Sequence, residues 1–480
     1  MATGDLSNSQ VKEFNQPLPK LNLLTMFRLA LFQMGLGILA VLTLGVLNRV
    51  MIDELAIPAT IAAGVLAISQ FMSPTRVWFG QMSDSKTIFG LHRTGYVWIG
   101  AALFTLILSL AVQVVWQLGN VVQVTGQWSW TSTAIGWTAV AGLVFALYGI
   151  ASSISSTPFF ALLVDVSDED DRGKLIGIVW SMMTVGIAVG GITSKILLRR
   201  LENIDASLDV LRSSISSFFI VVPAIVFLLA IIATFGVEKK YSRYAFRSNL
   251  IAREDSITLG KALKILTASR QTGLFFTFLL VMTISLFMQE AVLEPYGGEV
   301  FGLSIPQTSL LNTFWGIGML MSLGATGFFI VPRIGKQKTT KLGCLLVAVC
   351  FILIIGSGFT GNAKVFQGTL VLFGLSAGIA TTGALSLMLD LTAAETAGTF
   401  VGAWGLSQAM ARGTATITGG VVLDIGRTLF QVPMLAYGLV FALQAVGMLV
   451  AIWLLSRVNV QEFRTNAREA IATIMEKDLD

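Results

Sequence analysis

The chain has 480 residues, of which 54% are hydrophobic and only 12% charged, and its mean hydropathy is +0.78. Long apolar runs on that scale exclude a water-soluble globular protein. The formal net charge of +5 reflects how basic residues distribute across a membrane, and nucleic acid is not an expected partner.

In lipid every backbone N–H and C=O needs an internal partner, so spanning segments are helices or closed barrels. The apolar runs here do not alternate, which predicts helices. Residues 1–27 are polar and acid-containing, with no basic n-region and no small-residue cleavage site, so no signal peptide is expected. Twelve spans follow, at 28–50, 58–82, 95–118, 135–160, 175–198, 215–236, 272–292, 308–331, 340–360, 365–389, 398–423 and 432–456. Each is long enough to cross about 30 Å of hydrocarbon with some tilt. Trp128, Trp130 and Trp137 mark an interfacial belt.

The stretch 237–271 is the longest polar segment between spans and divides the chain into six-helix halves at 28–236 and 272–456. Within it, Ile257 to Leu266 reads as an amphipathic helix on the membrane surface. Most of the 32 basic residues, eight of them between Lys239 and Arg270, fall on one side of the predicted topology. The positive-inside rule makes that side cytoplasmic, with both termini and the 457–480 tail. Lys195, Arg199, Arg200 and Arg212 dissent, diluted by Glu202, Asp205 and Asp209.

The halves echo each other. Residues 161–177 align with 386–402 at a constant offset of 225, pairing Asp165 with Asp390, Gly173 with Gly398 and Gly177 with Gly402. Both copies lie between the fourth and fifth spans of their half. After the second span comes Gly80-Gln-Met-Ser-Asp84, followed by Lys86, His92 and Arg93. Gly80 is expected to permit close helix approach, Asp84 to face the start of the helix near Gly398, and Arg93 to hold the loop. Arg172 and Asp390 belong to the same conformational set. The second-half copy keeps Gly327, Arg333, Lys336 and Lys338 but has Val331 in place of the acid. The loop and the parallel repeat resemble the major facilitator superfamily, which implies an all-α membrane fold of twelve transmembrane helices in two six-helix halves.

A sharper resemblance runs through Phe27-Arg28-Leu29 and Gln33, the block Asn48-Arg49-Val50-Met51-Ile52-Asp53-Glu54, Pro74-Thr-Arg76, and His92-Arg93-Thr-Gly-Tyr96-Val-Trp98. It returns at Asp390 to Gly398 and through Trp404, Gln408 and Arg412-Gly413. From about residue 20 to 455 the chain resembles the PucC- and LhaA-like bacteriochlorophyll-delivery branch of that superfamily. The resemblance implies a photosynthetic membrane, thylakoid or bacterial inner membrane. It implies (bacterio)chlorophyll as bound cargo, and antenna or photosystem subunits as partners alongside membrane lipids.

Ionisable groups at bilayer depth cost several kcal/mol and are functional candidates by default. Arg412 lies near the middle of the eleventh span, with Trp404 and Gln408 on the same face at i, i+4, i+8. At the 225 offset the first half has Val179, Met183 and Ile187, so the second half has added this polarity. Either Arg412 serves a ligand or gate, or it pins neighbouring helices. Arg49 with Asn48, and Arg76 after Pro74, lie near span ends where a long side chain can reach water. Glu290 and Glu294, at the end of the seventh span, are placed to pair with Arg49 across the halves. His92, the sole histidine, lies in a loop, which excludes histidine-ligated haem within the membrane. Magnesium accepts oxygen, so Gln33, Asn48, Gln70, Gln289, Asn312 and Gln408 are candidate pigment ligands or plain interhelical hydrogen-bond formers. Cys344 and Cys350 read as small core residues, and the Gly186-to-Gly191 stretch as a packing surface.

No nucleophile with its base, metal cluster or phosphate loop can be assembled, so no enzyme activity is expected. Two functions stay open. One is a pigment-handling assembly factor. The other is a secondary transporter of a small solute, for which Arg412 offers an anion-binding group, disfavoured by the lack of mid-span carboxylates.

Overall fold

A computed structural model describes residues 21–167, 169–201, 208–242, 270–390 and 397–459. The expectations for 243–269, including the Ile257–Leu266 helix, and for both terminal tails lie outside the described residues. Twelve spans, α1 to α12, are traced. α1 is Leu23–Glu54, and α2 is Ala59–Phe71, continued after a break by Thr75–Ser85. α3 is Thr94–Thr125, α4 Ser132–Val166, α5 Glu169–Leu197 and α6 Leu208–Thr234. α7 runs from Arg270–Phe287 through a tight 3₁₀ turn at Met288–Ala291 into Leu293–Phe301. α8 comprises Ile305–Ser309 and Leu311–Ala325 and extends to Ile334. α9 is Lys336–Thr360, α10 Ala363–Asp390, α11 Ala397–Leu429 and α12 Pro433–Ser456.

Among the described residues, nine helices are long and apolar enough to cross a membrane. The shortfall is α2, α8 and α11. α2 breaks at Met72–Pro74, α8 is interrupted near Leu310 and again by wide π turns at Thr326–Ile330, and α11 carries Gln408, Arg412, five threonines and Asp424. All three pack between the halves. A helix shielded from lipid by its neighbours needs no continuous apolar surface, so hydropathy alone undercounts them.

The packing repeats. In the first half α1 packs on α5 and α6, α4 on α2 and α3, and α3 on α6. Six helices later the same set returns, with α7 on α11 and α12, α10 on α8 and α9, and α9 on α12. The cross-half pairs α2–α11 and α5–α8 exchange under the same operation. Small residues make these approaches possible. A Cβ added at Gly186 of α5 would lie 2.8 Å from the Met34 carbonyl carbon of α1, and one at Gly191 would lie 2.6 Å from the Ser309 carbonyl oxygen of α8. Both neighbours are backbone, so neither can yield, and the Gly186-to-Gly191 stretch is a packing surface on two sides. Gly80 differs from expectation. A Cβ there would meet Thr157 at an ordinary 3.4 Å, so no close approach depends on it in this conformation.

One face of the bundle, called proximal here, is where α1, α3, α5, α7, α9 and α11 begin. The halves touch away from it, toward the distal face. α2 and α11 pack from Ala59 and Gly420 down to Phe71 and Gly413. Beyond Phe71, the Thr75–Ser85 part of α2 packs on α4 of its own half. No close packing joins α4 to α10 among the described residues. Among the described residues the halves thus form a wedge, in contact toward the distal face and apart toward the proximal one.

Candidate functional site

At the distal seal α1 does not keep regular α geometry. It widens into π turns over Val41–Leu47 and Val50–Glu54, leaving Asn48 and Arg49 between them. Such bulges redirect side chains, and here they aim both across the halves. Asn48 donates from Nδ2 to the Ala291 carbonyl at 2.7 Å. Arg49 donates to the Leu303 carbonyl at 2.6 Å and to the Thr308 hydroxyl, and pairs with Asp53 one turn on at 3.4 Å. Arg49 is therefore a cross-half bond, as expected, but its partners are not Glu290 or Glu294. Asp424 of α11 adds a second bridge. Its carboxylate accepts from the Ala59 and Thr60 amides at 3.1 and 2.8 Å, capping the first turn of α2 from the other half.

Sequence reasoning missed Asp53, Thr308 and Asp424 as members of this seal. The i, i+4 spacing of Arg49 and Asp53 was a usable signal for the first. Nothing local signals the other two. Glu294 is buried and accepts a hydrogen bond from Asn312 within its own half. Gln289 likewise joins α12, meeting Gln444 at 3.4 Å.

Toward the open side lies the second cluster. Arg412 pairs with Glu290 of α7 through Nη2 at 2.8 Å and stands 4.0 Å above the Phe287 ring. One turn earlier, Gln408 donates to the Thr283 hydroxyl at 3.0 Å. The 3₁₀ turn at Met288–Ala291 explains the pairing, because it shifts the α7 register just before Glu290. The apolar span of α7 is Gly273–Ala291, so Glu290 lies at its end and Glu294 just past it, and the chain continues through Leu293–Phe301 with Glu294 buried in the bundle. Arg76 follows the α2 break, is solvent-accessible, and lies within electrostatic reach of Arg412. Trp404 lies on α11 with its side chain outside the described residues, as are those of Arg172 and Asp390.

The proximal loop forms a third cluster. Arg93 joins Asp165 of α4 at 2.9 Å, Asp84 at 2.5 Å and the Ser83 hydroxyl at 2.6 Å. Glu238, after α6, accepts the His92, Arg93 and Thr94 amides and so caps the start of α3. The loop thus ties α2, α3, α4 and α6 into one rigid half. The turn that feeds it, Phe89-Gly90, is left-handed at both residues, with φ of 56° and 69°. The proposed contact of Asp84 with the α11 start near Gly398 falls on residues outside those described.

Protein PucC of Rhodobacter capsulatus is 27% identical over 439 residues, covering 89% of this chain and 90% of that protein. The bacteriochlorophyll synthase 44.5 kDa chain of Rhodobacter capsulatus is 27% identical over 434 residues, covering 89% and 94%. In fold, a bacterial homologue of the iron transporter ferroportin, solved in an inward-facing state, superposes with a TM-score of 0.65 at 13% identity. It covers 91% of this chain and 99% of that one. This is the major facilitator superfamily fold, all-α and integral to the membrane, with twelve helices in two halves. The profile of the PUCC protein family matches residues 46–463, nearly the whole bundle from the Asn48-Arg49 turn to the end of α12, and the chain belongs to that family.

Proposed function

We propose that this protein holds a chlorophyll-type pigment within the photosynthetic membrane and delivers it to nascent antenna or photosystem subunits. The observation that carries the reading is end-to-end similarity to PucC proteins and to a bacteriochlorophyll synthase chain. The wedge supports it. A tetrapyrrole is a large flat apolar ring that needs a wide mouth and one oxygen donor for magnesium. Of the amide oxygens considered from sequence, those of Gln33 and Asn48 are buried without a hydrogen-bond partner. Asn48 is committed to the distal seal through its amide nitrogen, whereas Gln33 lies on the proximal part of α1, donating to the Met183 sulfur at 3.3 Å. We propose Gln33 as the magnesium donor; its oxygen is buried against α5 in this conformation, so a pigment reaches it only where α1 and α5 part. We read the role as handling and not synthesis, by similarity to PucC proteins over most of the chain.

Purified in mild detergent, the protein should carry a chlorophyll-type absorption spectrum, and Gln33→Leu should lower the bound pigment several-fold. Deleting the gene should reduce assembled chlorophyll–protein complexes more than total pigment synthesis. No bound pigment together with normal abundance of every complex would sink the proposal. The second reading, alternating-access transport of a small solute, would then take its place, favoured by the one-sided wedge.

We also place the proximal face in the cytoplasm, from the excess of Lys and Arg on that side. A reporter fused at residue 250 should be active only in its cytoplasmic form; an externally active fusion reverses the orientation.

A further inference from the structure

Two arginines, one from each half, flank the point where α2 and α11 separate. α2 and α11 separate just past Phe71 and Gly413, where a Cβ on the glycine would touch the Phe71 ring at 3.1 Å. Arg412 precedes that glycine, and Arg76 follows the α2 break, each near the point of separation. Arg412 has one carboxylate, Glu290, while its Nε is buried without a partner. Arg76 has no ion pair or hydrogen bond through its guanidinium among the described residues. Two positive charges against one negative leave the water-accessible guanidinium of Arg76 without a carboxylate among the described residues. The Phe287 ring lies 4.0 Å from the Arg412 guanidinium and the Phe71 ring packs at Gly413, so apolar surface borders the polar groups.

We infer that Arg76 and Arg412 together bind one anionic oxyacid group, carboxylate or phosphate, carried on a largely apolar molecule. Guanidinium donors match such groups in a planar, two-point geometry, and the pair would draw the two halves together around it. Two sources share this chemistry. One is a tetrapyrrole whose propionate side chain is a free acid, which rests on the pigment reading above. The other is the phosphate of a lipid. The first implies that the cargo is taken before its propionate is esterified.

The test is binding to the full-length protein in detergent. Chlorophyllide a is compared with its methyl ester by absorption titration, and lysophosphatidic acid with monoacylglycerol by competition or thermal shift. We expect the charged member of a pair to bind at least about tenfold more tightly, equivalent to about 1.4 kcal/mol. Arg76→Gln and Arg412→Gln should each abolish the preference, and Arg76→Lys should retain much of it. Arg333→Gln, outside the wedge, should change nothing. Size-exclusion profiles show whether each variant is folded, and the lysine variant keeps the test decisive if a glutamine variant is not. A preference for chlorophyllide supports both the anion site and the pigment reading. A preference for the lysolipid alone, with neither tetrapyrrole bound, supports the anion site while the pigment reading fails. Equal binding within both pairs, or a preference that survives both glutamine substitutions, overturns the inference.

Discussion

Arg412→Leu should abolish the protein's contribution to pigment–protein assembly while the full-length chain stays in the membrane. The substitution removes a 2.8 Å ion pair and a cation stacked on Phe287, and leaves Glu290 without its partner. Both side chains are partly open to the wedge, with exposures of 31% and 18%, so water can take up part of the loss. The structural cost is then about 1–2 kcal/mol, too little to unfold a bundle with twelve packed helices. Loss of function would therefore report on the site and not on the fold. Arg412→Lys should retain part of the activity, because it keeps the charge but not the planar fork. The measurement is the amount of assembled complex, normalised to the protein level in isolated membranes. Full activity in the leucine variant would reduce Arg412 to a helix-packing residue.

The largest stability effect is expected at the other end. Arg49→Met should destabilise the protein far more than Arg412→Leu, because Arg49 and Asp53 are only 7% and 9% exposed. Removing the guanidinium breaks bonds to Thr308 and to the Leu303 carbonyl, both in the second half, and strands the Asp53 carboxylate. Breaking a buried pair from one side costs about 3–5 kcal/mol. Thermal unfolding in mild detergent should show a clear drop in Tm for Arg49→Met. Adding Asp53→Leu should recover part of it by removing the orphaned charge. The same variant should expose Ala63→Cys, buried against Gly420 in the α2–α11 contact, to a polar thiol reagent. An unchanged Tm with unchanged labelling would show that the distal seal does not depend on Arg49.

The two clusters differ in how far sequence could reach them. Gln408 and Arg412 share a face because a helix repeats every 3.6 residues, and that periodicity is local. The shift of Glu290 toward Arg412, 122 residues away, depends on a tight turn in α7 that no propensity at Met288–Ala291 announces. The span-end positions of Glu290 and Glu294 suggest pairing with Arg49, but Arg49 is taken by Asp53, Thr308 and the Leu303 carbonyl, while Glu290 meets Arg412 and Glu294 meets Asn312. Likewise, Asp424 sits where a span was expected to have ended. It caps a helix that begins 365 residues earlier in the chain.

From the amino-acid order alone came the membrane, the helices, the six-plus-six repeat and the arginines that had to be protected from lipid. These rest on hydropathy, on period and on the energetic cost of charge in hydrocarbon, all of which are properties of short segments. The tertiary structure decided where the halves are joined, which carboxylates Arg49, Arg93 and Arg412 meet, and that Arg76 has none among the described residues. Those outcomes depend on π and 3₁₀ turns that rotate side chains by fractions of a turn. They depend equally on contacts between residues hundreds of positions apart, which local sequence does not encode.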